Sequence, residues 1–158
     1  MLEEWDIVVR VVVAALLGGL VGYDRQAANK PAGIRTHMMV AAGASLFVGV
    51  SLLLSSGLED LGTQAARIDA SRITAGVVTG VGFLGAGSII RQGGAVSGLT
   101  TAAGIWTVAA IGTAIAFGYW VLGVAATVVV LGIHGLSWIV ELAGWTTREA
   151  TADEEHEG

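Results

Sequence analysis

Charge is scarce in this 158-residue chain: 13% of the residues are charged, 54% are hydrophobic and the mean hydropathy is +0.73. An average soluble domain carries about 25% charged residues, and a soluble surface this apolar would expose large adhesive patches. The scarcity is also local. From 92 to 140, between Arg91 and Glu141, there is no Asp, Glu, Lys or Arg. A spanning helix needs about 20 mostly apolar residues to cross about 30 Å of hydrocarbon, so this run holds two. The class that follows is a multi-pass membrane protein.

Other absences exclude functions. With no cysteine there is no disulfide, thiolate metal site or thiol nucleophile. The start MLEEWD is acidic where a cleaved signal needs a basic region, so the first apolar segment is expected to stay as a helix. A net charge of −5, partly from DEEHEG at the end, does not attract nucleic acid. No acidic residue lies in the middle of an apolar segment, so a magnesium or calcium site of facing carboxylates is not expected. Neither metal nor cofactor is anticipated.

Five spans are predicted: Ile7–Tyr23, Met38–Ser56, Ile73–Ile90, Leu99–Phe117 and Val121–Val140. Helices are preferred to barrel strands because VVTGVGFLGAGSII lacks apolar–polar alternation, and a helix satisfies its own backbone in lipid. Twenty-four glycines weaken helices in water but let helices approach closely in lipid. Gly18/Gly22 and Gly76/Gly80 are small-xxx-small pairs, and Gly82, Gly85 and Gly87 extend the second surface. The expected fold is all-α, a glycine-packed bundle in which the first and third helices cross closely. Residues 1–145 form the membrane domain and 146–158 an acidic, disordered cytoplasmic tail.

Five cations fall on one side (Arg25, Lys30, Arg35, Arg91 and Arg148) and three on the other (Arg10, Arg67 and Arg72). The bias puts the N-terminus outside and the C-terminus in the cytoplasm. Trp5 and Trp120 are assigned to the outer interface, and Trp138 or Trp145 to the inner one.

The loop YDRQAANKPAGIRTH is the densest polar cluster near the membrane. Pro31 fixes its turn, and Gly33 is expected to supply a positive φ. Arg25, Lys30 and Arg35 serve either as anchors on lipid phosphates or, with Asp24, Thr36 and His37, as an organised polar site at the mouth of the bundle. Asp24 beside Arg25 also fits a simple surface ion pair. Arg72 and Arg91 bracket the third span, and RQGGAVSGL leads to Thr100 and Thr101 as an inner loop or a re-entrant turn. The threonines then cap the fourth helix or bond across helices. His134, deep in the fifth span, marks either a proton or ion path or a neutral ring bonded to a backbone carbonyl.

Gly80, Gly82 and Gly85 spell GxGxxG. A dinucleotide turn needs a preceding strand and an acidic residue about 20 positions on, whereas these glycines sit inside a span and no acid follows before Glu141. GxSxG, GxxxxGK[ST] and zinc-type histidine spacings are also absent. No catalytic constellation is discernible, so the chain is expected not to be an enzyme.

Several long motifs carry a resemblance: GGLVGYDRQ (18–26), KPAGIRTHMMVAAGASLF (30–47) and DASRITAGVVTGVGFLGAGSIIRQGGAVSGLTTAAGIWTVAAIG (69–112). With the last span they cover nearly the whole chain, which resembles the MgtC/SapB family of bacterial inner-membrane proteins. Asp24 stands where that family commonly has Glu, and DASR at 69–72 where it has DPSR. The resemblance implies a multi-pass fold with an outside N-terminus and a cytoplasmic C-terminus. Some members add a soluble C-terminal domain; this sequence is expected to be the short form. It further implies a role in magnesium limitation and an association with virulence, with the best-studied type resembling a regulator that inhibits the membrane ATP synthase.

Two functions follow as expectations. The first is a non-enzymatic protein that packs against a membrane partner or against itself. The second is a small transporter or channel with Arg35, His37, Arg91 and Thr100 at a cationic entrance, a lining that favours anions over magnesium.

Overall fold

A computed structural model describes residues 3–59, 70–92 and 95–142, with the backbone alone at 56–59, 70–71 and 137–142. The predicted tail, Arg67, Trp145 and the Trp138 side chain lie outside this description. Five helices occur in order: α1 (Glu4–Ala27), α2 (Ile34–Glu59), α3 (Ala70–Gly87), α4 (Leu99–Ala116) and α5 (Trp120–Leu142). Two short strands, β1 (Ile90–Gln92) and β2 (Ala95–Ser97), lie between α3 and α4. Over their described residues α1, α2 and α4 are long and apolar enough to cross a membrane, while α3 and α5 are shorter apolar helices. The fold is therefore the expected all-α membrane bundle with one local exception.

Contacts fix the direction of every helix, that of α3 through Gly85, near its end, against Ala102, near the start of α4. Ile7 meets Gly49 and Gly22 meets Ile34, so α1 and α2 are antiparallel. His37 meets Gly104 and Ala41 meets Gly112, so α2 and α4 run parallel. Arg10 donates to the Ala116 carbonyl, which puts the start of α1 beside the end of α4. Asp24 meets His134, which joins the other end of α1 to the later half of α5. The chain thus alternates direction, as consecutive spans must.

Helix α4 is central and touches the other four helices. Ala14, Val21, Ala41, Val108, Ile111, Ile115 and Val130 form the main core. Small residues make it dense: a Cβ at Gly112 would lie 2.2 Å from the Ala41 carbonyl oxygen, and one at Gly22 2.6 Å from the Ile34 Cα. A Cβ at Gly18 would lie 2.6 Å from the His37 carbonyl oxygen. These approaches correct the expected crossing of the first and third helices. Gly18 and Gly22 receive α2, which the short 28–33 loop returns directly onto α1, whereas α3 packs on α4 and α2.

That loop begins with a Schellman closure. The Lys30 N–H donates to the Arg25 carbonyl and the Asn29 N–H to that of Gln26, with Asn29 at φ 55°. The left-handed residue is therefore Asn29, and Gly33 is not among the positive-φ positions. Gly33 instead leaves room for Gln26, whose Oε1 accepts from the Ile34 N–H at 3.3 Å and caps α2. The α4–α5 turn closes likewise: Gly118, at φ 81°, donates to Ile115, and Tyr119 to Ala114.

Where the sequence reading carries the third helix to Ile90, α3 stops at Gly87 and Ile90 opens an antiparallel hairpin paired Ile90–Ser97, Arg91–Val96 and Gln92–Ala95. Gly98 ends it at φ 87°, with the place of a Cβ only 2.0 Å from the Ser88 carbonyl oxygen. Gly98 is the N-cap of α4 and contributes no side-chain bond, so the threonine pair does not cap this helix.

Candidate functional site

The buried ionisable side chains Arg25, His37 and His134 gather near the loop end, where the last turn of α1 faces the first turns of α2 and α4 and the later half of α5. Asp24 and Arg25 are consecutive, so about 100° of helix separates their side chains. The two diverge: Asp24 reaches α5, where Oδ2 lies 2.9 Å from His134 Nδ1, and Arg25 turns inward to 5% exposure. The Asp24–His134 contact lies at hydrogen-bond and ion-pair distance. A carboxylate accepts only, so the proton of this contact belongs to Nδ1. Asp24 thus pairs with His134 rather than with Arg25, and His134 faces a carboxylate.

His37 is fully buried. Its Nδ1 lies 2.9 Å from the Gly33 carbonyl, which can only accept, so Nδ1 carries the hydrogen and Nε2 holds the lone pair. That Nε2 has no protein partner and is covered by α4, where a Cβ at Gly104 would lie 3.2 Å away. Arg25 lies within electrostatic range of both His37 and His134, and its Nε is buried without a hydrogen bond. Among the described residues no carboxylate lies within 4 Å of the Arg25 guanidinium. Its position in the last turn of α1 is favourable to the helix dipole, and the Asp24 charge one residue away offsets part of the burial. Ser45, also fully buried without a bond for Oγ, continues the His37–Ala41 face of α2.

The residues singled out in the sequence therefore separate into three groups. Asp24, Arg25 and His37 meet in one cluster. Thr36 and Arg72 line an apolar groove between α2 and α3. Lys30, Arg35, Arg91 and Thr100 are exposed, while Thr101 is buried in the first turn of α4. Of the glycines, Gly85 makes ordinary contact with Ala102, and a Cβ at Gly76, Gly80, Gly82 or Gly87 would meet nothing within 4 Å. His134 was singled out in the sequence but not joined to Asp24, and buried Ser45, about 12 Å along α2 from His37, was not singled out at all. Fourteen residues into α5, about 21 Å along its axis, His134 is level with the far end of α1. That depth match was the available signal for His134; Ser45 offered none beyond its spacing from His37. No group of three or more His, Cys, Asp or Glu capable of holding a metal occurs among the described residues.

Fold and site define a class: a small polytopic membrane bundle with a charge-bearing cluster at one end, buried at Arg25 and His37 and partly open at Asp24, and no facing carboxylates in the described interior. The MgtC family model matches residues 11–141, and the chain belongs to the MgtC family. It is 43% identical over 127 residues to "Putative magnesium transporter YhiD" of Escherichia coli (strain K12), covering 80% of this chain and 58% of that protein. Protein SrpB of Synechococcus elongatus is 36% identical over 168 aligned positions, covering 94% and 90%. Protein MgtC of Salmonella typhimurium is 39% identical over 124 residues, covering 78% and 49%. The chain thus spans about half to three-fifths of YhiD and MgtC and most of SrpB. No solved structure matches. The family and the apolar helices together make the chain an MgtC-family membrane protein.

Proposed function

We propose that the chain is a non-enzymatic inner-membrane protein that acts in magnesium limitation or membrane-energy homeostasis by binding a membrane partner such as ATP synthase. Its N-terminus is outside and its C-terminus cytoplasmic. The observation that carries the proposal is the outward face of α3. Ala75, Thr79, Gly82 and Ala86 follow i, i+4, i+7, i+11 spacing, all exposed, with Phe83 beside them at 80% exposure. In lipid a small-residue stripe of this kind is a surface for another helix. The burial of His37 points the same way, since its ring has no open side. A photo-crosslinking residue at Phe83 in native membranes is expected to give a discrete adduct containing a membrane subunit of ATP synthase. The same residue at Val128, on the exposed face of α5, is expected to give lipid adducts only. Lipid adducts at both positions would overturn the proposal.

A second reading, a small transporter, is favoured by the charged cluster inside the helices and by the name of the YhiD relative. Under that reading Asp24→Asn and His134→Gln alter flux in liposomes while insertion is unchanged. Equal flux in both variants and the parent counts against it.

A further inference from the structure

The groove between α2 and α3 lies on a different face of α3 from the proposed partner stripe, about 140° around the helix. It encloses about 740 Å³ and is apolar along its length. Gly43 on α2 and Gly76 and Gly80 on α3 line it, and a Cβ at any of the three would meet nothing within 4 Å. Leu84 and Phe47 complete the walls. Among the described residues, polar side chains enter only as Thr36 and Arg72. Each stands near the start of its helix, and consecutive spans run in opposite directions, so Thr36 and Arg72 mark opposite ends.

We propose that this groove seats one anionic phospholipid, with its phosphate on Arg72 and an acyl chain running toward Thr36. The length fits: Thr36 to Phe47 is eleven residue rises, about 16 Å, which leaves room for one acyl chain following the groove from Arg72. The charge pattern fits as well. Arg72 is exposed, no acidic residue lines the groove, and no carboxylate lies within 4 Å of Arg72 among the described residues. A second copy of the chain is a poor occupant. Copies in one membrane share an orientation, so a symmetric pair through this groove would set Arg72 against Arg72 at the same depth. A foreign helix would need a carboxylate at that level, whereas an anionic phospholipid brings the charge and the chain together.

The test is retention of lipid by the detergent-purified full chain in native mass spectrometry, titrated with phosphatidylglycerol or phosphatidylcholine of identical acyl chains. One guanidinium near an anionic headgroup predicts about a fivefold preference for phosphatidylglycerol. Arg72→Gln is expected to bring the ratio to about one while one lipid is still retained, and Arg72→Lys to restore most of it. Gly80→Leu, which fills the groove, is expected to lose both lipids. Equal retention by the parent chain, or a preference unchanged in Arg72→Gln, overturns the proposal, as does a dimer in place of the lipid-bound monomer. Arg72 is exposed, so these outcomes do not depend on a variant that fails to fold.

Discussion

Gly22 and Gly132 separate the two roles that glycine has in this chain. A Cβ at Gly22 would press on Ile34 Cα and the Gly33 carbonyl, whereas one at Gly132 would meet nothing within 4 Å. Gly22→Ala is therefore expected to destabilise by about 1–3 kcal/mol through overpacking, and Gly132→Ala to stay within about 0.5 kcal/mol. Reversible unfolding in mixed detergent reads both; equal effects would contradict the packing described. The Asp24–His134 contact is half in solvent on its acidic side, so a double-mutant cycle of Asp24→Asn and His134→Gln should give a coupling below about 1 kcal/mol. At this scale the sequence showed which residues were polar but not which way they turned. Arg25 reads as a surface anchor, and only the rotation of α1 against α2 buries it. His134 sits more than a hundred positions from its partner, beyond the reach of local spacing.

The ends of the helices are set by local chemistry, and most of it is visible in the sequence. FGYW, at 117–120, marks the α4–α5 turn because Gly118 alone there tolerates a left-handed φ; Gly118→Ala is expected to cost about 1–2 kcal/mol in the same unfolding assay. Arg10 donates to the Ala116 carbonyl at the C-terminus of α4, where a cation complements the helix dipole. Arg10→Ala should speed hydrogen exchange at 117–119, with Arg10→Lys intermediate. Unchanged exchange would mean that Arg10 does no more than snorkel. The hairpin at 90–97 was not legible, since two three-residue strands around a Gly-Gly pair are too short to show alternation. The threonine caps failed for a physical reason too: Gly98 must lie against Ser88, which leaves no room for a side chain at the N-cap.

For the molecule as a whole, length and hydropathy were enough for five helices, and charge bias gave a direction. Which helices touch was not legible, because glycine pairs advertise close approach without naming the partner. Gly18 and Gly22 took α2, while Gly76 and Gly80 meet no other helix among the described residues. The absence of cysteine makes the direction directly testable. A membrane-impermeant thiol reagent on spheroplasts is expected to label Trp5→Cys but neither Lys30→Cys nor Ser97→Cys, and the reverse pattern would invert the topology. The central claim is that the chain works by binding and not by conduction, which rests on the exposed small-residue face of α3 and on the burial of His37 under α4. Magnesium uptake into liposomes containing the purified chain alone tests it most directly. The expected result is uptake no faster than in protein-free liposomes; saturable uptake that Asp24→Asn abolishes would contradict the claim.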